Sequence, residues 1–288
     1  MAVAIAGTGV WAERRRRVSE LRSRQGFARQ LLDFYGALLG VQEKAFTQAR
    51  ADSPPPDALV AYTAELVLPY IIDVSVAVGP DQLRSEVIRR TQSEDVREIV
   101  RRWAEGVEQP VVDRFLGRAS LGPVLEALGP AARAQCQGAR DACHCPDCGG
   151  PPQLSYTTRT ADDLATGPRR LLCARCGATW GLARATCAGC GEDSSAKLSF
   201  FSEHGTASGE RGSVVRGLPA GPVPAQDRAV FPHMRIEACD SCRRYLLGID
   251  LAAEPAAVPL VDEMAAIPLD LVARERGYAK IITNLMGF

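Results

Sequence analysis

Four Cys-x-x-Cys pairs constrain this 288-residue chain more than any other feature: Cys145/Cys148, Cys173/Cys176, Cys187/Cys190 and Cys239/Cys242. A two-residue spacer lets both thiolates of one turn face a single ion, while amides of the same knuckle donate to the sulfurs. Glycine follows three of the pairs, at Gly149, Gly177 and Gly191, and supplies the positive φ that such a turn uses. One pair is a weak signal and four are a strong one. Eight thiolates make two tetrahedral sites of four sulfurs, a donor set that suits zinc and equally a single iron. Cys136 and Cys143 have no partner at ligand spacing and read as free thiols, and His144 is surplus to a tetrahedron already filled by sulfur.

An internal repeat says how the pairs combine. Cys145-Pro146-Asp147-Cys148-Gly149 leads to Leu154-Ser155-Tyr156, and Cys187-Ala188-Gly189-Cys190-Gly191 leads to Leu198-Ser199-Phe200. Arg170-Leu171-Leu172 runs into Cys173/Cys176 as Arg235-Ile236-Glu237-Ala238 runs into Cys239/Cys242. Each unit is thus a knuckle, a strand, a returning strand and a second knuckle, and the first pair joins the second as the third joins the fourth. The competing arrangement, second pair with third, separates the first and fourth pairs by ninety residues and ignores the repeat.

The first 135 residues contain no cysteine, and this shift in composition marks a boundary near residue 140. Before it the pattern is helical. Phe27, Leu31, Tyr35 and Leu38 share one face, and further helices are expected over Asp57–Val78, after Ser53-Pro54-Pro55-Pro56, and over Gln82–Trp103 and Val111–Leu128. Beyond the boundary short strands are expected at Leu154–Thr158, Arg170–Leu172, Lys197–Phe201 and Met234–Ala238, with a long surface loop from His204 to Pro232. The chain turns helical again from Pro259 through Leu271 and ends in a compact tail. The fold class is therefore α+β.

Charge is balanced, with 34 basic and 34 acidic residues, which disfavours a chain built to coat nucleic acid or an anionic membrane. The short apolar start precedes Arg14–Arg17, the reverse order of a secretory signal, so a cytoplasmic location is expected. Leu59–Val78 is apolar but carries Glu65, Asp73 and Pro69, and it reads as a buried helix rather than a membrane span. No nucleotide loop, nucleophile elbow or zincin helix is present; Glu94-Asp95 and Asp162-Asp163 read as solvated surface pairs, and Asp262-Glu263, on the C-terminal helix, as a helix-start or surface pair. His204 and His233 read as exposed. The chain is expected to be no enzyme. Two other readings remain: a dithiol oxidoreductase, from the Cys-x-x-Cys motif, and a nucleic-acid-binding zinc ribbon, from arginines near the knuckles such as Arg169, Arg175 and Arg243.

With these motifs laid out, the chain resembles the formate dehydrogenase accessory protein family, FdhE. The resemblance is carried by Leu32-Asp33-Phe34-Tyr35-Gly36-Ala37-Leu38, Phe115-Leu116-Gly117-Arg118-Ala119, the four cysteine pairs in order, Glu237-Ala238-Cys239-Asp240-Ser241-Cys242, and Val258-Pro259-Leu260-Val261-Asp262-Glu263. It implies a helical domain over 1–140, two rubredoxin-like, zinc-ribbon-like modules over 141–185 and 186–250, and a helical tail over 251–288. It further implies iron or zinc on the paired cysteines, and a chaperone-like cytoplasmic factor that binds the catalytic subunit of a respiratory formate dehydrogenase during its maturation. The long loop from His204 to Pro232 departs from the family pattern.

Overall fold

The structure is a computed structural model that describes residues 8–93, 96–159, 167–202, 205–207 and 230–288. Among the described residues, eight α-helices come first: α1 (Thr8–Arg24), α2 (Arg29–Asp52), α3 (Leu59–Leu66), α4 (Leu68–Val78), α5 (Asp81–Ser93), α6 (Arg97–Ala104), α7 (Val111–Leu128) and the short α8 (Pro130–Arg133). Helix α2 buries Leu32, Tyr35, Leu38, Leu39, Gln42, Phe46 and Ala49, a stripe of three-to-four spacing that packs against α1 and α7. Its predicted start is displaced, because Phe27 lies in a 3-10 turn before the helix and is exposed. Ser53 in the left-handed region ends α2, and Pro54–Pro56 cannot extend it. Helix α7 lies at the centre of the helical half. Its Gly117 meets Trp103 of α6 so closely that a Cβ there would stand 2.8 Å from the Trp103 Cβ.

Two predicted helices are divided. Asp57–Val78 breaks at Val67, and Gln82–Trp103 becomes α5 and α6. The stretch Pro56–Val78 has the length and apolar composition to cross a membrane, yet 39% of its most apolar window is buried within the protein. Leu59, Thr63, Ala64, Leu68, Ile71 and Ser75 face inward, while Leu66, Tyr70 and Val78 are exposed. The buried-helix reading therefore holds for one face only.

The second half forms one sheet. Its strands are β1 (Pro152–Thr157), β2 (Arg169–Cys173), β3 (Thr179–Gly181), β4 (Leu198–Ser202), β5 (Gly205–Ala207), β6 (Met234–Cys239), β7 (Arg244–Asp250) and β8 (Ala279–Lys280). The order is β3-β2-β1-β7-β6-β4-β5, with β8 beside β7. Each cysteine unit is a three-stranded antiparallel piece, β1-β2-β3 or β4-β6-β7, so the repeat carries a third strand after its second knuckle that the sequence reading lacked. The two pieces fuse where β1 runs parallel to β7, with Leu154 opposite Leu247 and Tyr156 opposite Ile249. Most of the predicted loop from His204 to Pro232 lies outside the described residues. Helices α9 (Pro259–Ala265) and α10 (Ile267–Glu275) follow, and Val261, Met264, Ala265 and Leu269 join a single apolar core that runs from the helical half into the sheet.

Candidate metal centres

Each knuckle is a tight turn fixed by its own backbone. Gly149 N donates to Cys145 O and Cys145 N to Gly150 O, both at 2.9 Å; Gly191 N donates to Cys187 O at 3.0 Å and Gly177 N to Cys173 O at 3.2 Å. Gly149, Gly177 and Gly191 all have φ between 69° and 77°. The fourth knuckle places Arg243 at the matching position with φ 56°, a conformation uncommon for a residue with a side chain.

The eight cysteines meet in the two sets expected from the repeat. Cys145, Cys148, Cys173 and Cys176 form one group, Cys187, Cys190, Cys239 and Cys242 the other, and the sulfurs of each lie within 4.8 Å of one another. In the first, Cys145 Sγ is 3.7 Å from Cys176 Sγ and Cys148 Sγ is 3.4 Å from Cys173 Sγ. In the second, the pairs Cys187/Cys242 and Cys190/Cys239 both stand at 3.8 Å. A regular tetrahedron with metal–sulfur bonds of about 2.3 Å has edges of about 3.8 Å, so the donor sets fit one zinc or iron ion each. Amides already point at the sulfurs, Arg175 N to Cys173 Sγ and Gly189 N to Cys187 Sγ, both at 3.3 Å.

The surroundings of the two sets differ. All four cysteines of the first are buried, whereas Cys190 of the second is exposed and Cys242 partly so. Arg175 clamps the first set to the helical half: its Nη1 donates to Cys148 O and Gln137 O at 2.8 Å, and its guanidinium lies 5.6 Å from the Trp103 ring. Arg133 pairs with Asp147 in the same knuckle. Cys136 and Cys143 stay outside both sets. Burial pushes the Cys136 thiol up to about 11, and His144 pairs with Asp141.

Several residues read as surface groups are interior. Arg175 is almost fully buried, and Arg169 is buried against Glu237 at 2.7 Å, so two arginines offered for a partner are consumed internally. That weakens the nucleic-acid reading. Asp262 and Glu263 are fully buried, and His233, whose Nε2 is 3.2 Å from Asp262 Oδ1, is largely buried beside them. Asp262 also accepts from Arg17 Nε and Nη2, from α1 across the fold. Burial alone would raise the Asp262 carboxyl; hydrogen bonds from His233 and Arg17 outweigh it and hold the group below the usual carboxylate range. Glu263 shares Lys280 Nζ with Asp270, at 2.9 and 3.0 Å, and accepts from Gln153. Tyr245 donates to Asp270 at 2.7 Å. The sequence signal for this network was an acidic pair inside the apolar run Val258–Ala266.

The chain is similar to several known proteins. A family model described as FdhE, C-terminal domain, matches residues 224–286, which include Cys239, Cys242 and the buried acids of α9 and α10. The protein FdhE homolog of Aquifex aeolicus is 26% identical over 240 residues, covering 81% of this chain and 75% of that protein. The homolog of Pseudomonas aeruginosa is 32% identical over 143 residues, covering 49% of this chain but only 38% of its own length. The crystal structure of the FdhE protein from Pseudomonas aeruginosa superposes with a TM-score of 0.61 over 98% of this chain and 97% of that one, at 20% identity, and shares the fold.

Proposed function

We propose, from the premise that the chain belongs to the FdhE family, that it is an accessory protein of formate dehydrogenase and acts by binding that enzyme's catalytic subunit in the cytoplasm during maturation. In this reading the activity is stoichiometric binding, not turnover. The observation that carries it is the pairing of two preformed tetrathiol sets with a single sheet to which the helical half is clamped. Cys145, Cys148, Cys173 and Cys176 would hold one ion, and Cys187, Cys190, Cys239 and Cys242 the other. Each ion cross-links two knuckles distant in sequence, so the metal supplies folding free energy and rigidity to the binding surface. The division into segments 1–140, 141–185, 186–250 and 251–288 belongs to the same proposal.

The test is co-purification of the tagged chain with the untagged catalytic subunit from cells grown on formate, together with enzyme activity in a deletion strain. The expected results are recovery of the subunit and loss of activity. A Cys187→Ser/Cys190→Ser variant should fail to restore activity in those cells while leaving mature, purified enzyme unaffected. Normal activity in the deletion strain, with no subunit recovered, would overturn the reading.

A further inference from the structure

A cleft of about 70 Å³ opens between α1, α2, α7, α9 and the Cys173–Cys176 knuckle. Its polar lining is unbalanced. Arg14 and Glu126 satisfy one another through two hydrogen bonds, and Gln42 Nε2 donates to Ala119 O at 2.9 Å. Tyr35, 3% exposed, makes no side-chain hydrogen bond among the described residues. Arg118, 7% exposed, donates from Nη1 to Thr283 O at 3.0 Å and has no carboxylate within 4 Å among those residues. The indole N–H of Trp11, also in the lining, is buried without an acceptor. A buried donor such as the Trp11 indole is costly until an acceptor meets it, whereas the Tyr35 hydroxyl and the remaining Arg118 N–H groups are not fully enclosed and stay within reach of a ligand in the cleft.

We propose that this cleft binds a single carboxylate group, held by the Arg118 guanidinium and the Tyr35 hydroxyl against the apolar wall of Leu39, Met264 and Leu285. A carboxylate is planar and presents two oxygens to a guanidinium fork, which matches donors that outnumber acceptors. Volume favours a small group, since the space holds only a few water-sized atoms. Charge favours a monoanion. Glu126 neutralises Arg14, which leaves the Arg118 guanidinium as the unpaired positive charge of the lining among the described residues, a match for a monoanion rather than a phosphate dianion. Burial raises the Tyr35 hydroxyl to about 12, so it remains a donor throughout the physiological range. The ligand is a free short-chain acid or an Asp or Glu side chain of a bound protein, and both present the same group.

Calorimetric titration of the zinc-loaded full chain tests the site, with sodium acetate, acetamide and a terminally blocked aspartyl peptide as probes at ionic strength held constant with sodium chloride. Saturable acetate binding is expected, with acetamide at least about tenfold weaker because it lacks the charge. Tyr35→Phe and, separately, Arg118→Lys should each weaken acetate by about tenfold, the effect of losing one hydrogen bond to a charged group. Circular dichroism of both variants verifies the fold, and the mild Tyr35→Phe change keeps the test decisive if Arg118→Lys unfolds. Peptide binding tighter than acetate assigns a protein side chain, and acetate alone assigns a free acid. No saturable binding of either, or binding that survives Tyr35→Phe unchanged, overturns the site.

Discussion

Replacing Asp262 by asparagine should cost about 3 to 5 kcal/mol, because it leaves a buried guanidinium without its counter-charge. Arg17 is 2% exposed in its side chain and Asp262 0%, so water cannot take the carboxylate's place. The pair is bidentate, with Arg17 Nη2 at 2.6 Å from Oδ1 and Nε at 2.9 Å from Oδ2. The remaining acidic partner of Arg17 is Glu20 at 3.2 Å, on the partly exposed side of α1. Because the pair links residue 17 to residue 262, its loss should loosen α1 from α9 and expose Trp11, which sits on α1. Urea unfolding of the zinc-saturated protein, followed by tryptophan emission and far-ultraviolet circular dichroism, measures both effects. The pH dependence has a definite sign. Asp262 is depressed in the folded state, so its contribution is present above the unfolded carboxylate value of about 3.9 and is lost as pH falls through the lower folded value. The gap between wild type and Asp262→Asn should therefore shrink in acid. Combining Asp262→Asn with Arg17→Met should recover at least about 1 kcal/mol relative to the sum of the single changes. A single-variant loss under about 1 kcal/mol, with unchanged tryptophan emission, would refute the view that this pair bolts the two ends of the chain together.

Chelation should remove the ion of Cys187, Cys190, Cys239 and Cys242 before that of the buried first set, since Cys190 is exposed; two equal release rates in a colorimetric metal assay would contradict this. Cys136, raised by burial to about 11, should resist iodoacetamide at pH 8 in the metal-loaded chain and be modified only after the half-exposed Cys143, as peptide mass spectrometry would register. Lys280→Met should destabilise the fold by more than about 3 kcal/mol at pH 8, because it strips the shared cation from two buried acids. Glu263 is already raised by burial, and without Lys280 it should rise further. A raised carboxyl contributes stability at low pH that is lost as pH climbs through the folded value, so the deficit should be smaller at pH 5. Melting curves at the two pH values would expose the opposite trend.

What the sequence disclosed follows the range of the interactions involved. The knuckles are local: four residues and a glycine define each turn, and β1, β2, β4 and β6 are apolar runs bounded by those turns. The repeat then paired the knuckles without any tertiary information. Strand β7 was equally apolar, but its place beside β1 joins Leu154 to Leu247 and leaves no mark within either segment. Pro123 sits inside α7 despite its reputation as a breaker, in a helix buried along most of its length. The helix-start reading holds for Asp262, which lies in the first turn of α9 and accepts from Val258 N at 2.8 Å, but the surface reading of Asp262 and Glu263 fails because an acid's default surroundings are water, and the cations that make their burial tolerable, Arg17 and Lys280, are supplied from elsewhere in the chain.

The one knuckle that departs from the repeat shows how local geometry and the tail became coupled. A residue with a side chain in the left-handed region costs about 1 to 2 kcal/mol relative to glycine, and Arg243 occupies that position where its three counterparts are glycines. Its side chain offsets the strain. Nη1 donates to Asp240 at 3.0 Å, Nη2 donates to Arg276 O at 2.8 Å, and the guanidinium lies 4.2 Å from the Tyr278 ring. Tyr278 in turn donates to Asp240 at 2.6 Å, inside the knuckle itself. A glycine would relax the turn but release the segment leading into β8, the strand that carries Lys280 to Glu263 and Asp270. The departure from glycine therefore links the second cysteine set to the buried acids, and through α9 to Arg17 of α1.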